Sequence, residues 1–114
     1  MNDLKSRREE IPPGTLDMLI LKTLARGVRM HGFEIADAIQ LASEAVLQVE
    51  EGSLYPALQR MLIKGWLSSE WGKTAGNRRA RYYSVTAAGQ KQLAREIHGY
   101  QRVAKAIARI LQPV

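Results

Sequence analysis

The chain has 114 residues, 46% of them apolar, no cysteine, and a formal net charge of +6. That length holds one domain with an ordinary core and leaves no room for a second, catalytic domain. Disulfides, thiol nucleophiles and cysteine-based metal centres are excluded, and no apolar run reaches the roughly 18 residues of a membrane span or resembles a signal peptide, so a cytoplasmic location is expected.

The charge is regional. Residues 1–10 sum to zero, and residues 11–51 carry three basic against six acidic side chains. Residues 52–85 carry six basic against one acidic, and residues 86–114 five against one. A basic stretch beside an acidic one predicts a positive face suited to a polyanion.

Residues 1–10 are polar and aperiodic, and Ile11-Pro12-Pro13-Gly14 stops any earlier helix, so 1–13 reads as a flexible arm. Thr15 offers a capping oxygen to the helix that follows. There Leu16, Leu19, Ile20 and Leu24 share one face, Met18 and Leu21 lie off it, and the pattern ends near Gly27. A helix apolar nearly all round is expected at the centre of the domain and in contact with a second subunit. Gly32 opens a second helix, patterned by Phe33, Ile35, Ala36 and Ile39, which runs out near Ser43. Residues 45–50 are a short β-prone connector.

The third helix starts at Gly52-Ser53 and runs to Lys64, with Leu54, Leu58, Met61 and Leu62 as its core face. Pro56 fits its first turn, where a missing N–H has no partner to lose. Two aromatic-rich runs, 66–71 and 80–85, flank a glycine-containing loop over 72–79 and predict a hairpin, with Trp66 and Trp71 in its core. Thr86 caps a last helix that reaches about Leu111 and stops at Pro113. The fold class is therefore mainly α with a small β-hairpin: a winged helix-turn-helix domain over 14–85 plus a long C-terminal dimerisation helix over 86–114.

Three features bear on function. On the third helix Ser53, Pro56, Gln59 and Arg60 point away from the core, with Tyr55 and Lys64 on the flanks and Ile63 also outward. A short polar face of this kind suits the major groove, where Gln59 or Arg60 reaches base edges; the alternative is an ordinary solvated face. In the hairpin, Lys73, Arg78, Arg79 and Arg81 put four positive charges within nine residues without an acidic neighbour, as a phosphate-tracking wing requires. In the last helix Leu93, Ile97, Tyr100, Ala104, Ile107 and Leu111 step by four and three, the spacing of a two-stranded seam. Two reading helices related by such a seam would read an inverted repeat.

Catalysis finds no support. His31 and His98 lie on different helices without a ligand partner, His31 reads as a capping or packing residue, and no nucleophile elbow or phosphate-binding glycine loop is present. No metal and no cofactor are expected. The competing non-catalytic reading is an adaptor that docks an acidic protein on its basic face.

The stretches Gly14-Thr15-Leu16-Asp17, His31-Gly32-Phe33-Glu34-Ile35, Glu51-Gly52-Ser53-Leu54-Tyr55-Pro56-Ala57-Leu58, Lys64-Gly65-Trp66-Leu67 and residues 81–89 together make the chain closely similar to the PadR family of bacterial transcriptional regulators. The resemblance implies a dimeric winged-helix protein, usually a repressor of transcription. Its helix bearing Leu-Tyr-Pro enters the major groove of double-stranded DNA, and its wing follows the backbone. Carried over, Ser53, Tyr55, Pro56 and Arg60 belong to the reading helix and Arg78, Arg79 and Arg81 to the wing. The single long last helix resembles the shorter-tailed branch, where it packs on the other subunit's first helix, here Leu16, Leu19 and Ile20. Some members release DNA when a small-molecule effector binds at the dimer interface. Met61-Leu62-Ile63 departs from the family's leucine followed by acidic residues.

Overall fold

The computed structural model describes residues 11, 12 and 14–113; the arm expected over 1–13 lies almost wholly outside them. Four helices and a three-stranded antiparallel sheet follow in the order α1 (Leu16–Leu24), β1 (Met30–His31), α2 (Gly32–Ala42), α3 (Glu51–Ile63), β2 (Leu67–Lys73), β3 (Arg79–Val85) and α4 (Ala87–Leu111). The strand order is β1-β3-β2. This is the winged-helix arrangement that the pattern of elements predicts.

α1 is the centre of the domain, packed on by α2, α3, α4 and β3. Burial on several sides brings Met18 and Leu21, expected off the apolar face, into the core beside Ile20 and Leu24. Ile20 is fully buried and Leu93 of α4 nearly so. Both therefore belong to the domain's own core, which corrects their expected place at a subunit interface. The helix ends at Leu24, three residues before Gly27. Thr15 is not a side-chain cap: its hydroxyl donates backwards to the Pro12 carbonyl (2.7 Å).

The third strand was not legible. β1 is only two residues long, pairing Met30 with Tyr83 and His31 with Tyr82, too short for an alternating pattern. His31 then caps α2: its Nδ1 accepts from the Glu34 N–H (3.4 Å), while the His31 N–H donates to Glu34 Oε1 (3.1 Å). That reciprocal capping box fulfils the capping role expected of His31. Phe33, expected within the apolar pattern of α2, is instead 71% exposed. Only Leu47 of the β-prone connector makes a bridge contact.

Helix α3 buries Leu54, Ala57, Leu58 and Met61. It begins at Glu51, so Pro56 is its sixth residue and not in the first turn. The missing N–H leaves the carbonyl of Gly52, four residues back, without its helical donor, and Gly52 is exposed to solvent that can satisfy it. The hairpin is deeper than expected. β2 and β3 stay paired out to Lys73 and Arg79, and the turn is closed by Thr74 N–H donating to the Arg78 carbonyl (2.8 Å) and Asn77 N–H to the Thr74 carbonyl (2.9 Å). Asn77 holds the left-handed conformation this turn needs (φ 63°). At the other end Thr86 Oγ1 accepts from Gly89 N–H (3.0 Å) and donates to the Gly65 carbonyl (2.6 Å), capping α4 and tying it to the end of α3.

Candidate nucleic-acid interface

The predicted reading residues lie on the outer side of α3. Ser53, Pro56, Gln59, Arg60 and Lys64 are all exposed, and Ile63, at 77%, lies in line with Pro56 and Gln59. A large apolar side chain on this face suits contact with a thymine methyl as well as it suits any solvent role. Glu50 and Glu51 stand at the start of the helix. Their carboxylates complement the helix dipole and oppose a phosphate there.

Two of these residues are less free than their spacing implies. Arg60 donates to Asp17 of α1 (Nη2 to Oδ1, 2.5 Å), an ion pair across 43 positions that fastens the back half of α3 to the central helix. Arg60 reaches a base only by leaving Asp17. Tyr55 is half exposed, with its ring laid over Gly32 at the start of α2. A methyl at Gly32 would stand 2.7 Å from the Tyr55 hydroxyl and 2.9 Å from two ring carbons. That close approach explains why glycine follows His31. Below Tyr55, burial pushes the Tyr83 hydroxyl above the usual tyrosine range, against the pull of the Arg81 guanidinium.

Gly32→Ala is accordingly expected to leave the fold intact and to swing the Tyr55 ring aside. DNA affinity should fall about tenfold with little change in melting temperature, and Gly32→Ala/Tyr55→Ala should bind no worse than Tyr55→Ala. Unchanged affinity in the single variant would separate Tyr55 from DNA contact.

Directly opposed residues share a face of the hairpin, and the register opposes Trp71 with Arg81 and Lys73 with Arg79. Trp71 is not hairpin core. It is 57% exposed, with Arg79 Cζ 4.4 Å and Arg81 Cζ 5.8 Å from the centre of its ring. Trp66 is half-buried, with the Lys64 ammonium 4.8 Å above it. The opposite face carries Glu70, paired with Arg29, whose guanidinium also stacks on Tyr82 (4.4 Å). Sequence reasoning missed Arg29, which acts through β1, but Trp71 was within reach: Leu67, Ser69 and Trp71 alternate onto one face, and past the core that face must emerge into solvent.

The seam residues of α4 divide. Leu93 and Ile97 pack on the domain, whereas Tyr100, Ile107 and Leu111 are exposed and Ala104 is half-buried. Leu16 and Leu19 are half-buried against the core. Among the described residues no helix is long and apolar enough to cross a membrane, and no three of His, Cys, Asp and Glu gather as a metal site.

Residues 20–95 match the Transcriptional regulator PadR-like family. The structure of a transcriptional regulator from Clostridium thermocellum superposes with a TM-score of 0.79 at 26% identity, covering 87% of this chain and 95% of that one. A PadR family transcription regulator from Clostridium difficile superposes with a TM-score of 0.72 at 28% identity, over 87% of this chain and 100% of its own. An uncharacterized protein of Lysinibacillus sphaericus is 27% identical over 100 residues, 88% of this chain and 91% of its own. With a family match that spans α3 and the cationic hairpin, this chain belongs to the PadR-like transcriptional regulators, DNA-binding proteins rather than enzymes.

Proposed function

We propose that the chain is a repressor that binds an inverted-repeat operator as a homodimer, reading bases with Ser53, Tyr55, Pro56 and Gln59 and holding the backbone with Lys73, Arg78, Arg79 and Arg81. The observation that carries this reading is the exposed outer face of α3 followed directly by a hairpin whose Lys73, Arg79 and Arg81 share a face without a carboxylate, with the exposed Arg78 at the turn beside them. The exposed half of α4 supports the homodimer, because an apolar seam at Tyr100, Ile107 and Leu111 is costly to leave in water. A cleft of about 310 Å³ between α1 and α4, lined by Met18, Tyr100 and Val103 with Asp17 and Glu96, supports an effector site. Binding at the promoter would block transcription, and deleting the gene should raise expression of a reporter placed behind that promoter.

The direct test is a mobility shift on the chain's own upstream DNA. A complex is expected that weakens when either half of the inverted repeat is scrambled. Arg78→Ala/Arg79→Ala should weaken binding to every duplex alike and flatten the dependence of log affinity on log salt by about two. An unchanged slope would remove the wing from the backbone contact. Absence of any shift at moderate salt would favour a protein-docking adaptor.

A further inference from the structure

We propose that Trp71 is the platform of an anion clamp on the wing, laying the guanidinium groups of Arg79 and Arg81 against one face of the hairpin so that they meet the DNA backbone already ordered. The inference rests on the DNA-binding reading above and adds a positioning residue to it.

The face that carries Trp71 begins in the core, with Leu67 and Tyr83, and runs outward to the tip. Tryptophan gains most of its stabilisation from burial, yet here the indole sits beyond the core with more than half its surface in water. What it holds there is charge. Arg79 stacks from the diagonal position and Arg81 from the opposed one, and Arg81 Nε also donates to Ser69 Oγ (3.0 Å), which fixes the second guanidinium along the strand. Two guanidinium groups drawn to one ring repel each other, and Lys73 adds a third cation on the same face. The acidic residue of the strands, Glu70, is on the other face and already paired with Arg29. The cluster therefore keeps its positive charge, held in place by the negative face of the indole. An anion that settles between the guanidinium groups relieves their repulsion. It also costs less side-chain entropy to bind than with two free arginines.

This separates two quantities that a wing mutation usually mixes, the number of cations and their order. Trp71→Leu keeps every charge and removes the platform. Measured by fluorescence anisotropy over a range of salt, Trp71→Leu should melt within about 2 °C of the parent, as an exposed site allows. It should bind both operator and unrelated duplex about five- to tenfold more weakly, with a salt slope lower by about one. Trp71→Phe, which keeps an aromatic face, should recover most of the affinity and slope. Adding Trp71→Leu to Arg79→Gln/Arg81→Gln should cost nothing more. Parental affinity and slope in Trp71→Leu would overturn the clamp, as would a loss confined to the operator, which would make the indole a base contact. If the parent protein binds no duplex at all, the DNA-binding reading itself fails, a result distinct from either.

Discussion

Gly89→Ala is expected to lower the melting temperature by more than about 10 °C, in a protein whose total stability is expected to be about 5–15 kcal/mol. Gly89 is the third residue of α4 and is buried against the chain as it leaves α3. A methyl placed there would stand 2.1 Å from the carbonyl oxygen of Trp66, 3.0 Å from its carbon and 2.8 Å from Val85 Cγ2. The obstacle is backbone, so no rotamer change relieves it, and α4 must move away from the base of the hairpin. That movement breaks the bond from Thr86 N–H to the Trp66 carbonyl (3.0 Å) and the Thr86 cap on Gly89 N–H, and it lifts Leu93 out of the core. Overpacking alone costs about 1–3 kcal/mol, and lost bonds and burial add to it. The control is Gly52→Ala, also in a helix, where nothing lies within 4 Å of the added methyl and a slight rise in melting temperature is expected. A Gly89→Ala protein that melts with the parent would show that α4 can be seated without this close approach.

Gly89 also marks the boundary of what the sequence makes legible. Helices α1 to α4 and the hairpin announce themselves through local periodicity, because a core face repeats every 3.6 or 2 residues. Periodicity says which residues point one way, not what lies opposite. Met18 and Leu21 fall off the regular face of α1 yet are buried, because neighbours pack on it from several directions. Leu93 and Ile97 belong to the same heptad series as Ile107 and Leu111, yet the series passes from buried to exposed near Tyr100, where the domain beneath α4 runs out. The same limit governs the site. The outward positions of α3 and the charges of the wing are written in the local pattern. That Arg60 is bound to Asp17, or that Tyr55 lies over Gly32, depends on contacts between elements that no local spacing encodes. Pro56 failed for a smaller reason: it is the sixth residue of a helix that starts at Glu51, and even counted from Gly52 it stands fifth, past the first-turn N–H groups that need no helical partner.

Ile107→Glu is expected to turn a dimer into a monomer and to weaken binding of the full inverted repeat by at least about 100-fold, while affinity for an isolated half-site stays the same. Helix α4 has 25 residues, about 37 Å of rise, and only its first half is packed on the domain. Past Tyr100 the residues that would face a partner, Ile107 and Leu111 with Val103 and Ile110 beside them, all stand at least half exposed, while Arg102, Lys105 and Arg109 occupy the intervening positions. One helix cannot cover that stripe itself, and a two-fold copy of the same stripe covers it with matching spacing. In such a seam Ile107 lies close to its own symmetry mate, so one substitution buries two carboxylates near each other, with desolvation and like-charge repulsion acting together. The loss on DNA then follows from linkage alone. When two reading helices are joined, the second half-site is bound at an effective concentration set by the dimer, and separation returns it to the bulk value. Sedimentation at micromolar protein and anisotropy on full and half operators give the two readouts independently. A variant that stays dimeric with parental operator affinity would show that α4 is not the seam. One that becomes monomeric without losing operator affinity would show that each domain reads its site alone.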